Sequence, residues 1–442
     1  MNLWGGIECS LNRVRSTRFD QLARNGHYAR GDDLERIAAL GITRLRYPLL
    51  WERAATALPE EYDWRFADDR LPQLRALGIE PIAGLVHHGC GPDHTDLLAD
   101  GFATGLAHYA GKLAERFPWL EWYTPVNEPL TTARFSGLYG VWHPHARDAR
   151  SFLRILLNEC RATVLAMENI RRVNPAAKLL QTDDLGTIYS TPNLAYQAEF
   201  ENQRRWLAWD LLCGRVDKQH ALYRYLRKSG ITDHELGWFT ERPCPPAIIG
   251  IDHYVTSDRF LDEDLDRYPQ CHWGGNGRES YADVSAVHVL DRPGTSLRRV
   301  IVDAARRYDL PVVLAEVHIG CTPDEQMRWL YDAWTTCCEL EARGVDVRAV
   351  TAWAMFGSYD WNSLITIDAS NYEAGVFEVV DGRLRRTALT AMVEALARHG
   401  KWPHAHPGKG WWRRDDRLIF ERPEVQGSCA ARANPVAEAL EG

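Results

Sequence analysis

The sequence predicts an α/β fold, a (β/α)8 TIM barrel, and three observations carry that prediction. Short apolar, β-branched runs alternate with stretches of helical periodicity along most of the chain, which implies a parallel sheet. The strand-like runs number eight, the count that closes such a sheet on itself. One junction also recurs. Ala39-Leu40-Gly41-Ile42 returns as Ala76-Leu77-Gly78-Ile79, each time ending a helix and feeding a strand.

Leu3-Trp4-Gly5 opens the first strand. A helix over residues 32–40 follows, with Leu34, Ile37, Ala38 and Leu40 at helical spacing and Gly41 where a helix stops. Residues 42–47 and 81–85 are the second and third strands. A helix over 105–117 leads to the strand before Asn127-Glu128, and one over 151–173 leads to Leu179-Leu180-Gln181-Thr182. A long middle section, 185–245, carries helical stretches before the strand 247–252. Helices over 296–307 and 323–343 then precede the strands 312–316 and 347–353, and 388–397 is the last helix. The barrel is thus placed on residues 1–400. Residues 401–442 form a C-terminal extension, with Trp411, Trp412 and Leu418-Ile419-Phe420 expected to pack back on the barrel. The Pro-, Glu-, Ala- and Gly-containing stretch from Arg422 onward reads as a loose tail.

A doubly wound sheet is the structural alternative, and it would want a Gly-rich phosphate turn after an early strand. Gly274-Gly275-Asn276-Gly277 lacks that spacing and follows Trp273 rather than a strand, so no nucleotide cofactor is expected. A chain of 442 residues suits one barrel with insertions. A formal charge of −8 and the lack of a basic stripe argue against a nucleic-acid partner. No apolar run reaches the ~18 residues of a membrane span. The opening Met1-Asn2-Leu3-Trp4-Gly5-Gly6 has no basic region ahead of an apolar one, so no signal peptide is read there. Ten cysteines without a Cys-x-x-Cys pair suit reduced thiols and a cytoplasmic location. The sequence leaves the oligomeric state open.

In a parallel barrel the C-terminal ends of the strands converge on one face, where chemistry sits. Val312-Val313-Leu314-Ala315-Glu316 ends in a carboxylate with no packing reason to be there, and Trp122-Tyr123-Thr124-Pro125-Val126-Asn127-Glu128 ends in another. The other strand ends offer Arg46, His87, His88, Asp252, Tyr254 and Trp353, with Asp360 and Trp361 just beyond. Two carboxylates are the minimum equipment for cleaving a glycosidic bond: one attacks the anomeric carbon, and the other protonates the leaving oxygen and then activates water. Arg and Tyr hold the first ionised and oriented, and a Trp floor meets the apolar face of a sugar. His87-His88 and His143-Pro144-His145 invite a zinc reading, but no carboxylate or Cys lies at ligand spacing. They are read as hydrogen-bonding polar residues, and no metal is expected.

In this ordered set the chain resembles glycoside hydrolase family 1, the retaining β-glycosidases. Trp4-Gly5-Gly6 to Asn12 is similar to the family's opening stretch, with Asn12 where a sugar-binding Gln would fall. Leu45-Arg46-Tyr47-Pro48-Leu49-Leu50-Trp51-Glu52-Arg53 resembles Tyr-Arg-Phe-Ser-x-x-Trp-x-Arg, and Leu85-Val86-His87 the segment with a sugar-binding His. Thr124-Pro125-Val126-Asn127-Glu128-Pro129 is similar to the acid/base motif Thr-x-Asn-Glu-Pro with one residue inserted. Tyr139-Gly140-Val141-Trp142-His143-Pro144 is similar to Gly-x-His-x-Pro. Gly250-Ile251-Asp252-His253-Tyr254 falls on Gly-x-Asn-Tyr-Tyr, whose last Tyr bonds the nucleophile. Residues 353–361 keep the spacing of Trp-Ser-Leu-x-Asp-Asn-x-Glu-Trp. The nucleophile motif Thr-Glu-Asn-Gly reads Ala315-Glu316-Val317-His318.

The resemblance implies a retaining exo-β-glycosidase acting on a carbohydrate or glycoside. Glu316 would be the nucleophile, Glu128 the acid/base, Arg46, Tyr254 and Asn127 their partners. Asn12, His87, Trp353, Asp360 and Trp361 would bind substrate. Three recognition positions depart from the family: Asn12 for Gln, Asp360 for Glu, Asp252 for Asn. Sites built to bond particular hydroxyls discriminate strongly among sugars, so a sugar other than plain glucose is expected. A sugar-binding or regulatory protein on a degenerate barrel, and a transglycosidase, are the alternatives.

Overall fold

The eight apolar runs pair edge to edge as parallel strands. They are β1 (Asn2–Gly6), β2 (Arg44–Pro48), β3 (Glu80–His87), β4 (Trp122–Asn127), β5 (Lys178–Asp184), β6 (Ile248–Asp252), β7 (Val312–Val317) and β8 (Val347–Ala352). Each strand pairs with the next in chain order and β8 returns to β1, closing a (β/α)8 barrel. These strands read as nearly continuous apolar runs because they are buried on both faces. Residues 1–56, 60–291 and 294–420 are described by the computed structural model.

Helices follow most strands. They include α1 (Asp33–Ala39), α2 (Arg65–Ala76), α3 (Gly101–Arg116), α4 (Ala149–Val173), α5 (Leu297–Tyr308), α6 (Pro323–Ala342) and α7 (Ala388–His399). Their ends obey capping chemistry. The Asp148 side chain accepts from Ser151 N ahead of α4, and Thr387 and Thr390 form a capping box on α7. After α1, Gly41 takes φ +86, a left-handed turn that other residues adopt at a cost.

Trp4, Ile82, Trp122, Leu180, Ile248, Val313, Ala315 and Ala349, from seven of the eight strands, form one buried cluster. It is a packed core and not a pore. Ahead of it the chain turns at Gly89, where a Cβ would lie 1.8 Å from Glu52 Oε1. The lack of a side chain there makes room for that carboxylate. Gly91 N donates to Glu52 Oε1 at 3.0 Å, while Oε2 is buried without a partner among the described residues. Burial pushes the Glu52 carboxyl up to about 7. The folded chain therefore keeps a proton that the unfolded chain, with an ordinary carboxyl near ~4.3, gives up. Stability falls as pH climbs between those two values and stays lost above. Glu52→Gln carries no such loss, so it is expected to melt several degrees above the wild type near pH 8 and close to it near pH 5. Equal melting differences at the two pH values would contradict this.

Among the described residues a second unit comprises 187–202, 255–291, 294–295 and 411–420. Its sheet has four short strands, ordered Trp273–Gly275, Ser280–Ser285, Arg259–Asp262 and Ile188–Ser190. Phe260, Tyr268, Ala282, Val284, Ala286 and Val289 form its core, with Phe420 packed against it. Three to six residues per strand and frequent polar positions left no periodic signal for this sheet. The helical stretches of the middle section are present, among them Leu207–Leu212 and Asp233–Glu241.

The extension divides. Pro407 O accepts from Arg328 Nε at 2.8 Å and the His406 ring meets Tyr331, both on α6 of the barrel. Trp411, Trp412 and Phe420, expected on the barrel, instead cluster with the second unit. There Trp411 stacks on His288 and Phe420 meets Tyr268 edge-on. Packing partners of isolated aromatics are not encoded by spacing. The stretch from Arg422, read as a loose tail, lies outside the described residues. The nine cysteines among the described residues are free thiols, and no described helix is long and apolar enough to cross a membrane.

Candidate active site

A bulge decides where the Glu of β7 points. Val313 and Ala315 face the barrel interior with the buried cluster, and a Cβ on Gly250 of β6 would meet the Ala315 Cβ at 3.2 Å. Strict alternation would then send Glu316 outward. Instead the register slips: Leu314 pairs with Ile251 but Glu316 with Asp252. On the other edge Leu314 pairs with Val350 and Val317 with Ala352. The extra residue turns Glu316 inward, as bulges at barrel rims re-aim side chains.

Arg46, from β2, holds that bulge. Its Nη1 donates to Ala315 O and to Glu316 Oε1, both at 2.8 Å, and its Nη2 donates to Asn127 Oδ1 at 2.5 Å. The Tyr254 hydroxyl donates to Glu316 Oε2 at 2.5 Å. Thr182 donates to Asn127 Oδ1 at 2.7 Å, leaving the Asn127 amide facing His87 Nε2 at 3.1 Å. Trp353 stacks on His87 with ring centroids 5.6 Å apart, and the Arg46 guanidinium lies 4.7 Å from the Trp353 centroid. Six sequence-predicted residues thus join in one network: Glu316, Arg46, Tyr254, Asn127, His87 and Trp353.

Glu128 reaches the same place from β4 by a different device. Its backbone is left-handed, φ 45 and ψ 60, just before the short helix Pro129–Ala133. A non-glycine residue there costs roughly 1–2 kcal/mol. Leu130 N and the Thr131 hydroxyl donate to Asp183 at 3.0 and 3.3 Å, which fixes the turn. Oxygens of Glu128, Asp252 and Glu316 all lie within 4.8 Å of one another.

The two glutamates keep different company. Burial pushes both upward. For Glu316 the charge of Arg46 and hydrogen bonds from Tyr254 and Arg46 oppose that push. For Glu128 burial is reinforced by Asp252, Glu316, Asp184 and Asp183, which hold its carboxyl well above the usual range. The nearest ring nitrogen, His88 Nε2 at 3.8 Å, brings no charge, because burial pushes His88 down to about 3. The proton therefore rests on the Glu128 side and the negative charge beside Arg46.

Three predicted residues occupy other places. Asp360 is fully buried but turned into its own loop. It accepts from Asn371 N at 2.8 Å and Ala369 N at 3.2 Å, and pairs with Arg24 at 2.7 Å. Asn12 Nδ2 donates to Ile365 O at 3.2 Å in that same loop, and its Oδ1 is buried without a partner among the described residues. Trp361 lies against Trp142 and His88. Among the described residues neither Asn12 nor Asp360 bonds the Glu128, Asp252 or Glu316 carboxylates; both side chains are engaged by the loop itself. Leu364 and Ile365 are left-handed, each at a cost of order 1–3 kcal/mol. Trp142 Nε1 and the Asn12 amide hold their carbonyls. Asp360→Ala removes the loop's central acceptor and the buried partner of Arg24, which keeps only the exposed Asp368. It is expected to cost ~2–4 kcal/mol in thermal melts; an unchanged melting temperature would show that Asp360 does not hold the loop.

Sequence reasoning missed Glu8 and Asp183. Glu8 is buried beyond β1, accepting from Ser10 N at 2.9 Å and Trp353 Nε1 at 3.2 Å. Burial, then the charge of Glu316, raises its carboxyl to about 7. Both are acids at strand ends, the same signal that found Glu316. Each histidine of the His87-His88 and His143-His145 groups has a hydrogen-bond partner within the protein.

No protein-family model and no curated protein matches this chain. Solved structures do. The chain is similar to a β-glucosidase from Thermotoga maritima in complex with methoxycarbonyl-substituted glucoimidazole, at TM-score 0.71 and 16% identity. The match covers 89% of this chain and 97% of that one. A structure described as a family 1 β-glucosidase from Thermotoga maritima matches at TM-score 0.69, and its complex with deoxynojirimycin at 0.70. Both are again 16% identical over the same shares of each chain. The likeness is one of fold: the same closed (β/α)8 barrel over most of both chains.

Proposed function

We propose that this protein is a divergent family 1 glycoside hydrolase, a retaining exo-β-glycosidase. One observation carries the reading: carboxyl oxygens of Glu128 and Glu316 lie within 4.8 Å, one carboxyl among acids and the other bound by Arg46 and Tyr254. Retaining enzymes place the pair ~5–5.5 Å apart, whereas inverting ones leave ~6.5–9.5 Å for a water. Glu316 attacks the anomeric carbon while Glu128 gives its proton to the leaving oxygen. Glu128 then takes a proton from the water that displaces Glu316. The chain's own residues suffice for this chemistry. A panel of chromogenic α- and β-glycosides tests it: turnover of a β-glycoside is expected, and turnover of α-glycosides alone would overturn it. The engagement of Asp360 and Asn12 by the loop that holds Ile365 and Asn371 favours a second reading, a sugar-binding protein. Calorimetric binding of a sugar that is never hydrolysed would select that one.

A further inference from the structure

Asp252, the last residue of β6, is fully buried, and neither of its oxygens has a hydrogen-bond donor among the described residues. Arg46 Nη1 is 3.8 Å away, beyond hydrogen-bond reach, and already bonded to Ala315 O and Glu316. Oxygens of Asp252, Glu128 and Glu316 lie within 4.8 Å of one another; Glu316 is already held by Arg46 and Tyr254, which leaves the carboxyl of Glu128, itself an acceptor, as the neighbour of Asp252. Two carboxylates meet stably only with a proton between them. The charges agree. Glu128, Asp252 and Glu316 face a single guanidinium, that of Arg46; Asp183 and Asp184 add negative charge nearby, which Arg134, 3.9 Å from Asp184, partly offsets. The Tyr254 phenol is neutral, and burial lowers both His87 and His88 so that neither ring contributes a cation.

We propose that Asp252 and Glu128 share one proton, and that Asp252 is a positioning residue that keeps the acid/base carboxyl loaded with it. The proposal rests on the glycosidase reading for its role and on the carboxyl geometry for its existence. In the first step Glu316 bonds the anomeric carbon, the bond to the leaving oxygen breaks, and the shared proton goes to that oxygen. The pair is then two adjacent carboxylates, so its affinity for a proton rises as one is needed. Water bonds the anomeric carbon, the bond to Glu316 breaks, and the water's proton returns to the pair. Asn at position 252 would lack that titrating partner.

The test is Asp252→Asn, nearly equal in volume, in two measurements. The pH dependence of kcat/KM on the best glycoside is expected to lose its alkaline limb about one pH unit lower in the variant, roughly a tenfold rate loss on that limb. Superimposable limbs would overturn the proposal. Infrared difference spectra in H2O and D2O read the proton without any turnover. Subtracting the Asp252→Asn spectra, which carry the Glu8 and Glu52 carboxyls equally, should leave in the wild type a protonated-carboxyl carbonyl band that persists to higher pH. A wild type without that band overturns the shared proton even if hydrolysis is normal, as does one whose melting temperature falls on adding a chelator, which would put a cation there. An inactive protein that keeps the band sinks the glycosidase reading instead.

Discussion

Glu316→Gln is expected to lower kcat by at least ~10³-fold on every glycoside while leaving the fold intact. The amide cannot form the covalent bond to the anomeric carbon. Its carbonyl can still accept from Arg46 or Tyr254, and Arg46 keeps Ala315 O, Asn127 and the nearby Asp252. The buried guanidinium is thus not left alone, and circular dichroism and melting should stay near the wild type. Retention of wild-type rates would remove Glu316 from the reaction.

Glu128→Ala is the second large effect, and its signature depends on the leaving group. General acid and base assistance is worth ~10²–10⁴-fold. For glycosides with poor leaving groups the whole loss is expected in kcat/KM. For activated aryl glycosides the first step needs little protonation, so the glycosyl-enzyme accumulates and kcat falls with KM. Azide, which needs no base, should restore turnover and yield a β-glycosyl azide. A loss independent of the leaving group, with no response to azide, would assign Glu128 a structural role.

The barrel was legible because each strand is buried on two faces, which writes a run such as Val312-Val313-Leu314-Ala315 that polar positions do not interrupt. The strand-end rule found Glu128 and Glu316, since an acid there has no packing purpose. What the sequence hid was direction. The inward turn of Glu316 depends on a register slip at Ala315, and that of Glu128 on a left-handed backbone, and neither leaves a periodic mark. Asp360 shows the converse. Its place two residues after Ser358 was legible, but a left-handed backbone turns its carboxylate onto Asn371 and Ala369. The sheet of the second unit was illegible for a simpler reason: its strands are too short for alternation to register.

Covalent trapping tests the central claim most directly. The wild type would be incubated with the 2-deoxy-2-fluoro analogue of whichever β-glycoside it hydrolyses, carrying a good leaving group, then read by intact-mass spectrometry and peptide mapping. The expected result is a stoichiometric mass increase of one sugar, located on Glu316 and absent from Glu316→Gln. Hydrolysis without any adduct, or an adduct on another residue, would contradict a double displacement through Glu316.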